Sequence, residues 1–224
     1  MTLHIFGEPV LFYVGSVPVT ETMATSVGVS LLIVFATAVL RVAVVRAPQH
    51  WLSTLALMTF EWLDSLVRDV LGREHPLVTA LVGSLFLFIA GCNLAGQLPG
   101  THPVTASLAT TSALAAVVFF AVPIAGIASH GVWGYVRHYF RPNPLFIPLH
   151  VISELSRTLA LSVRLFGNVM SGHLVVALLV ALGGFLVPTP MMALDVLIGL
   201  LQAYIFMVLS TVYIGAAISV GENA

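Results

Sequence analysis

The sequence has few charged residues, no lysine and a single cysteine. Charged side chains make up 8% of its 224 residues and hydrophobic ones 59%, whereas ordinary soluble domains carry roughly 25% charged residues. This deficit excludes an ordinary soluble domain and indicates a protein that crosses the membrane several times. The lone cysteine, Cys92, lies in an apolar run, so a framework of disulfides is excluded as well.

Several functional signatures are also missing. The formal net charge of -1 gives no reason to expect a nucleic-acid partner. The chain has no His-Glu-x-x-His motif, no second cysteine and no phosphate-binding glycine loop, so we expect neither a bound metal nor a cofactor. Residues 1–40 contain no arginine or lysine. Because a signal peptide begins with a basic region, we expect the first hydrophobic segment to remain as a membrane helix.

Long hydrophobic runs predict five membrane crossings, since about 20 mostly apolar residues span a bilayer. The predicted crossings are 22–45, 76–98, 104–128, 149–182 and 191–220. Pro99 marks the turn between the second and third crossings, and Pro188 the turn between the fourth and fifth. Pro123 is expected to kink the third crossing. The last two helices would each be roughly 45–50 Å long. They exceed a hydrocarbon core of about 30 Å, so they must tilt strongly or protrude.

A sixth helix, over 50–72, is predicted to be amphipathic. Its apolar residues recur at helical spacing, while Glu61, Asp64, Arg68 and Asp69 gather on another face. Four charges make a crossing unfavourable, so this helix should lie at the membrane interface or on its neighbours. The predicted fold class is therefore an all-α membrane protein with five transmembrane helices and one interfacial amphipathic helix, the last two crossings forming a long tilted hairpin.

The domain organisation follows from these segments. The whole chain, 1–224, is interpreted as a single integral membrane domain. It is divided into an outer N-terminal segment 1–21, helix 1 over 22–46, the interfacial helix over 50–72, two crossings within 76–128 and the hairpin within 145–221.

The arginines predict the orientation of the chain. All eight basic residues are arginines. Loops rich in arginine or lysine stay in the cytoplasm, which predicts an N-terminus outside and a C-terminus in the cytoplasm. The prediction depends on six arginines that lie at the end of the first crossing, between the first and second crossings, or between the third and fourth, namely Arg41, Arg46, Arg68, Arg73, Arg137 and Arg141.

Arg164 is the residue that most needs an explanation. Between residues 145 and 221 the only other charged residues are Glu154, Arg157 and Asp195. A charge at membrane depth costs roughly 3 kcal/mol on insertion scales, and a guanidinium does not lose its proton at physiological pH. Arg164 is therefore a candidate functional residue. Arg157 lies nearer the cytoplasmic end of the helix, and we expect it to extend towards the membrane surface.

Other polar residues occur on the same two helices. Ser153, Arg157, Asn168 and Ser171 share a helical face with Arg164, and Asp195, Gln202 and Tyr213 share a face of the last helix. Asn168, Ser171 and Gln202 have an alternative role, because such residues often join membrane helices by hydrogen bonds. His173 lies on the opposite side of its helix from Arg164. A histidine and a carboxylate on adjacent helices can relay protons, which makes His173 and Asp195 candidates for an ion path.

Three segments resemble signatures of one family. Residues 156–168 read SRTLALSVRLFGN, which resembles the signature of subunit a of the rotary F-type ATP synthases. Residues 201–207 read LQAYIFM and look like the signature of its last helix. Asn93-Leu94, Gly96 and Leu98-Pro99-Gly100 are similar to a weaker upstream motif. The resemblance covers about residues 76–218, while the N-terminal part matches only in layout. The compact length and short outer segment are similar to the N-type subgroup.

The resemblance implies roles for the candidate residues. Arg164 would be the essential stator arginine, facing the ion-binding carboxylates of a rotating ring of c subunits. The other ion-path residues would be Asn168, His173, Asp195 and Gln202 on the outer half-channel, together with Ser171, Tyr213 and Glu154.

Two positions differ from many relatives. Well-known bacterial members carry glutamate at the position of His173 and histidine at that of Asp195, so the pair is exchanged here, as in mitochondrial relatives. Many relatives have a carboxylate at the position of His150, on the inner half-channel. Glu154 is a possible substitute for it.

The resemblance also implies a machine and its surroundings. The chain would be a stator subunit in the bacterial inner membrane that couples proton translocation to ATP synthesis or hydrolysis on other chains, so it would not itself be an enzyme. Its partners would be the c-subunit ring, the b subunits of the peripheral stalk, the remaining synthase subunits and membrane lipid.

Three alternatives compete with that interpretation. The first is the same machine carrying Na⁺, since selectivity would reside mainly on the ring. The second is a secondary transporter, which predicts an inverted repeat with broken helices in both halves, and the long unbroken final hairpin argues against it. The third is a structural scaffold, which leaves Arg164 unexplained.

Overall fold

The computed structural model describes residues 10–14, 17–46, 50–97, 103–139, 147–183 and 189–219. A short β-hairpin is followed there by α1 (Glu21–Arg46), α2 (Trp51–Leu71), α3 (Pro76–Ala95), α4 (Leu108–Tyr139), α5 (Ile147–Gly183) and α6 (Thr189–Ser219). A 3-10 turn, Val104–Ala106, lies between α3 and α4. The turns predicted near Pro99 and Pro188, and the basic residue Arg141, lie outside the described residues.

Five of these helices are long and apolar enough to cross a membrane. The spans are Thr22–Arg46, Pro76–Ala95, Leu108–Ser129, Pro148–Gly183 and Thr189–Ser219. The predicted membrane class and its five crossings are therefore confirmed. The final two helices pack against each other as a hairpin. At 1.5 Å per residue α5 is roughly 55 Å long and α6 roughly 45 Å, so both exceed the hydrocarbon core as expected.

The amphipathic helix α2 packs against α1, α3 and α6. Leu63 and Val67 are buried, and the Trp62 ring stacks on Tyr204 of α6 with 6.2 Å between ring centroids. The charged residues lie elsewhere: Asp64 accepts a hydrogen bond from Arg68 at 2.8 Å and one from Thr79 of α3 at 3.1 Å. The hydrogen bond to Asp64, with Glu74 nearby, raises the pKa of Arg68.

The β-hairpin was not predicted. Val10–Val14 and Val17–Thr20 pair antiparallel, with Val14 opposite Val17. Both segments are rich in valine, and Val10–Val14 also contains phenylalanine and tyrosine, which are residues that favour strands. The prediction treated this part only as a segment preceding the first crossing, and so it missed a signal that the sequence contains.

Two features of α4 were not predicted, its start and its change of direction at Gly131. The crossing expected from Val104 begins at Leu108, because Val104–Ala106 form a 3-10 turn and Ser107 is extended, with φ −90° and ψ 126°. Pro123 lies inside α4, but the residue with non-helical dihedral angles is Gly131, at φ 72° and ψ 162°. Positive φ is accessible to glycine because it has no Cβ, so the helix changes direction at Gly131.

The centre of the bundle is α6, which packs against α2, α3, α4 and α5. Its Phe206, Met207 and Ile214 are buried against apolar side chains of all four neighbours. Because lipid tails are as apolar as leucine, this contact stabilises the protein through close packing rather than by removing water. In contrast, α1 lies at the edge and buries none of its most apolar stretch.

Two glycines allow close approach of backbone segments. A Cβ on Gly199 of α6 would lie 3.1 Å from Asn93 Cβ of α3. A Cβ on Gly96, which caps α3, would lie 2.9 Å from Pro103 Cα, just before the 3-10 turn. These contacts bring the end of α3 close to both α6 and the start of α4.

Replacement of Gly96 tests this packing. Gly96→Ala should lower the free energy of unfolding by about 1–3 kcal/mol, the usual cost of overpacking, because the Pro103 backbone has to move. The measurement is thermal unfolding of the detergent-solubilised protein. Gly28→Ala is the matched control, since a Cβ on Gly28 meets no atom within 4 Å. Equal stability of the two variants would contradict the close approach.

Candidate functional site

Arg164 lies on the outward face of α5. Its neighbours Leu161 and Leu165 are 2% and 0% exposed in the core, and Ser162 donates a hydrogen bond to Thr111 of α4 at 3.3 Å. These contacts fix the rotation of α5 and leave Arg164 exposed. Within the described part of the chain, no hydrogen bond or ion pair involves Arg164. Its charge therefore lies on the outer surface of the hairpin formed by α5 and α6.

A polar cleft opens between α3, α5 and α6. It is partly open to its surroundings and is lined mainly by residues with amide, carboxylate or imidazole groups, together with apolar ones. Its lining residues are Asn93, Gln97, Pro103, Asn168, Val169, His173, Asp195, Ile198 and Gly199. The cleft lies at the end of the hairpin where α5 finishes and α6 begins.

Hydrogen bonds organise the side chains of the polar cleft. The Gln97 amide donates to Asp195 Oδ2 at 2.7 Å, and the Asn168 amide donates to Gln202 Oε1 at 3.4 Å. Asp195 also packs against α5, because a Cβ on Gly172 would collide with its carboxylate. The acidic side chain of α6 therefore contacts both neighbouring walls of the cleft.

Asn93 joins three elements deep in the same region. Its amide donates to the Gly199 carbonyl of α6 at 2.8 Å, and its carbonyl accepts from the Thr105 hydroxyl at 2.6 Å. Asn93 and Thr105 are 7% and 0% exposed. Because buried polar groups need such partners, this pair helps hold α3, the 3-10 turn and α6 together.

A second polar group, the Arg157 cluster, consists of Glu154, Arg157 and Tyr213. The Arg157 guanidinium lies 4.3 Å from the centroid of the Tyr213 ring on α6, and it pairs with Glu154 at 3.5 Å. Arg157 was expected to extend towards the membrane surface, and this stays a prediction. The Tyr213 ring attracts the guanidinium towards α6, while Glu154 pairs with it along α5 itself.

Arg164 lies between these two polar groups along α5. At 1.5 Å per residue it is roughly 10 Å from Arg157 and roughly 6 Å from Asn168 along the helix axis. Arg164 therefore lies between the cleft and the Arg157 cluster and belongs to neither of them.

The predicted site residues fall into distinct places. The structure brings Asn168, His173 and Asp195 together in the polar cleft, and Gln202 adjoins them through its bond to Asn168. Glu154 and Tyr213 meet through Arg157. Ser171 does not join the cleft, since it is exposed and its hydroxyl donates to the Asn168 carbonyl of its own helix at 2.9 Å.

Arg164 does not line the cleft either, although it shares a helical face with Asn168. No group of three His, Cys, Asp or Glu side chains among the described residues is arranged to hold a metal ion.

Gln97 and Asn93 were not predicted to belong to the site. Asn93 was noticed only as part of a motif, and Gln97 was not singled out at all. A signal was present, because two amides four residues apart occur in a run without charged residues from His75 to Val136. Amides at that spacing share one helical face and commonly join membrane helices.

Comparison with known proteins identifies the family. The model of the ATP synthase A chain family matches residues 22–215. The chain belongs to the ATP synthase A chain family. It is 40% identical to ATP synthase subunit a 1 of Chlorobium luteolum, over 96% of this chain and 97% of that protein. It is also 40% identical to ATP synthase subunit a 2 of Picosynechococcus sp., over 99% and 96%, and 45% identical to ATP synthase subunit a 2 of Bradyrhizobium sp., over 68% of each.

Membership of the ATP synthase A chain family establishes the general role. The chain is an integral membrane subunit of an ATP synthase complex and belongs to its ion-translocating stator. The family match begins in α1 and ends in α6. It therefore includes Arg164, the polar cleft and the Arg157 cluster.

The Asn93 bonds predict a difference between two asparagines of the site. Asn93→Ala should lower the free energy of unfolding by about 2–3 kcal/mol, because it leaves the buried Thr105 hydroxyl without its acceptor. Asn168→Ala, the matched control, should cost less than about 1 kcal/mol, since Asn168 is only half-buried and its bond to Gln202 is long. Thermal unfolding of both purified variants measures this. A larger loss for Asn168→Ala would show that the buried bonds are not the stabilising ones.

Proposed function

We propose that Arg164 is the stator arginine that meets the ion-binding carboxylates of a rotating ring of c subunits, and that the translocated ion is the proton. The observation that carries the proposal is the position of Arg164, which is exposed on α5 between the polar cleft and the Arg157 cluster. The c ring, the b subunits of the peripheral stalk and the remaining synthase subunits are its partners in this proposal.

A fixed guanidinium at this position would make the ring release its ion. A carboxyl group in lipid stays neutral, because an isolated charge there is costly. Opposite charges about 4 Å apart gain roughly 4 kcal/mol at an effective dielectric of 20. That energy favours the ionised carboxylate beside Arg164 about a thousandfold. Each ring carboxylate would thus release its ion when it passes Arg164.

The same charge would separate two half-channels. A free proton moving from the cleft to the cluster would have to pass a permanent positive charge, so ions must travel round with the ring instead. A membrane potential of 100 mV then contributes about 2.3 kcal/mol for each charge moved. In this arrangement the field drives rotation because the direct route between cleft and cluster is closed.

The distribution of arginines supports an orientation for these two half-channels. Arg41 and Arg46 lie in the last turns of α1, and Arg68 and Arg73 lie at the end of α2. By the positive-inside rule this side is cytoplasmic. The N-terminus is then outside and the C-terminus inside, in a bacterial inner membrane. The polar cleft opens to the outer half-channel and the Arg157 cluster lies towards the inner one.

Groups that exchange protons would carry the outer path. His173 and Asp195 line the same cleft, and a histidine can gain and lose a proton near neutral pH. Na⁺ asks for several free oxygen ligands, as hard cations do. The Asn93, Gln202 and Asp195 side chains each already accept a hydrogen bond on an oxygen. This use of the oxygens favours a path for protons.

On the inner side, Glu154 is proposed to carry the proton path. It lies in the Arg157 cluster, ten residues before Arg164, and it is 21% exposed at its side chain. His150 lies about one helical turn before Glu154, and Arg157 about one turn after it. Glu154 is therefore placed to pass protons between the cytoplasm and the neighbourhood of Arg164.

Arg164→Ala should abolish ATP-driven proton pumping while leaving the amount of assembled complex unchanged, because Arg164 makes no packing contact in the core. Arg164→Lys should fail almost as completely, since an ammonium lacks the planar fork of donors. Pumping is measured by dye quenching in vesicles that contain the whole complex. Arg46→Ala is the control, an exposed arginine at the end of α1 that should leave pumping near normal. Normal pumping by either Arg164 variant would refute the proposal.

The identity of the ion has its own test. The whole complex in liposomes should hydrolyse ATP and acidify the lumen without added Na⁺, and a protonophore should collapse the gradient, because His173 and Asp195 transfer protons. The measurements are ATP hydrolysis, dye quenching and uptake of ²²Na⁺. Hydrolysis that requires Na⁺, with uptake of Na⁺ that a protonophore does not reduce, would assign the machine to sodium.

A further inference from the structure

We propose that Gln97 is a positioning residue for Asp195, and that its amide holds the carboxylate in the polar cleft where the outer ion path runs. The inference rests on the proposed function, because it assigns a task within that path. Gln97 is a residue of the cleft that neither the sequence pattern nor the family resemblance assigned to ion movement.

The hydrogen bond is short and joins distant parts of the chain. Gln97 Nε2 lies 2.7 Å from Asp195 Oδ2, within the range of charge-assisted bonds between nitrogen and a carboxylate. Gln97 follows the last turn of α3, whereas Asp195 lies in the second turn of α6. Both side chains are half-buried, so water competes only partly for the bond.

The backbone beneath Gln97 is itself held in place. The Gly96 N–H donates to the Cys92 carbonyl at 3.0 Å, and the Gln97 N–H donates to the Leu94 carbonyl at 3.2 Å. The close approach of Gly96 to Pro103 supports the same turn. Gln97 therefore projects from a fixed point rather than from a free loop end.

The second oxygen of the carboxylate meets the opposite wall. A Cβ on Gly172 would collide with Asp195 Oδ1 and would lie 2.9 Å from Asp195 Cγ. Gln97 thus holds one oxygen from α3, while the bare backbone of α5 limits the other at Gly172. An aspartate side chain restrained on both sides keeps one orientation, which is what transfer to a neighbouring group requires.

An amide suits this task because it orients the carboxylate without exchanging protons itself. Its NH₂ group donates, and it has no proton that ionises at physiological pH. Gln97 therefore affects the ion path only through Asp195. A purely structural role, in which the bond merely joins α3 to α6, would instead affect stability and leave proton movement unchanged once the complex is assembled.

The first test is the loss of the donor at nearly constant volume. Gln97→Met should reduce ATP-driven proton pumping about five- to tenfold per assembled complex, in keeping with the loss of a bond to a charged group. Gly172→Ala should produce a similar loss by displacing the same carboxylate. Gly215→Ala is the matched control on α6, since a Cβ on Gly215 makes only ordinary contact with Leu71 at 3.7 Å. Pumping and assembly are measured on the whole complex in liposomes.

Two further readouts separate positioning from structural support. The double variant Gln97→Met with Gly172→Ala should lose little more activity than the worse single variant, because both misplace one group. Gln97→Glu should pump poorly at about pH 8 and recover relative to wild type at about pH 6. The adjacent Asp195 carboxylate raises the pKa of the introduced carboxyl, so that it takes up a proton at the lower pH and regains a donor. This pH profile decides the question if Gln97→Met fails to assemble.

Normal pumping by Gln97→Met at normal assembly would overturn the inference. Losses that multiply in the double variant, or a Gln97→Glu defect that does not change with pH, would overturn it as well. Arg164→Ala is run in parallel. If it abolishes pumping while Gln97→Met pumps normally, only the role of Gln97 is refuted. If Arg164→Ala itself pumps normally, the proposed function is refuted.

Discussion

A guanidinium that stays charged inside a bilayer constrains the rest of this molecule. Arg164 cannot escape the cost of burial by losing its proton, and it has no anionic partner among the described residues of its own chain. In the proposed function, a carboxylate of the c ring comes to it and stabilises it. The long hairpin, its exposed face and the polar groups on either side are then understood as the surroundings that this one charge requires.

The packing of α6 explains how those surroundings are arranged. Since α6 contacts four other helices, its polar residues are presented to different neighbours along its length. Asp195 reaches α3 and α5, Gln202 reaches Asn168, and Tyr213 reaches Arg157. Gly172 lets Asp195 approach the bare backbone of α5, and Gly199 lets Asn93 of α3 approach that of α6. Buried apolar residues of α6, such as Phe206 and Met207, lie between the polar cleft and the Arg157 cluster.

Much of the fold was predictable because its signals are local. Hydrophobic length predicts each crossing, the charges of α2 exclude a further one, and a charged residue in an apolar run points to Arg164. The structure confirms the crossings and the separate amphipathic helix. The errors were also local: the valine-rich hairpin was overlooked, the start of α4 was placed too early, and the change of direction at Gly131 was not predicted.

What the sequence by itself determined is the membrane class and the five crossings, because hydrophobicity and charge act on each segment separately. Only the tertiary structure decided which polar residues meet. Gln97 and Asp195 are 98 positions apart, and no periodicity links them. Arg157 turned towards Tyr213 for the same reason. A contact between helices depends on how each helix is rotated by its whole packed face, and that rotation is a property of the assembled bundle.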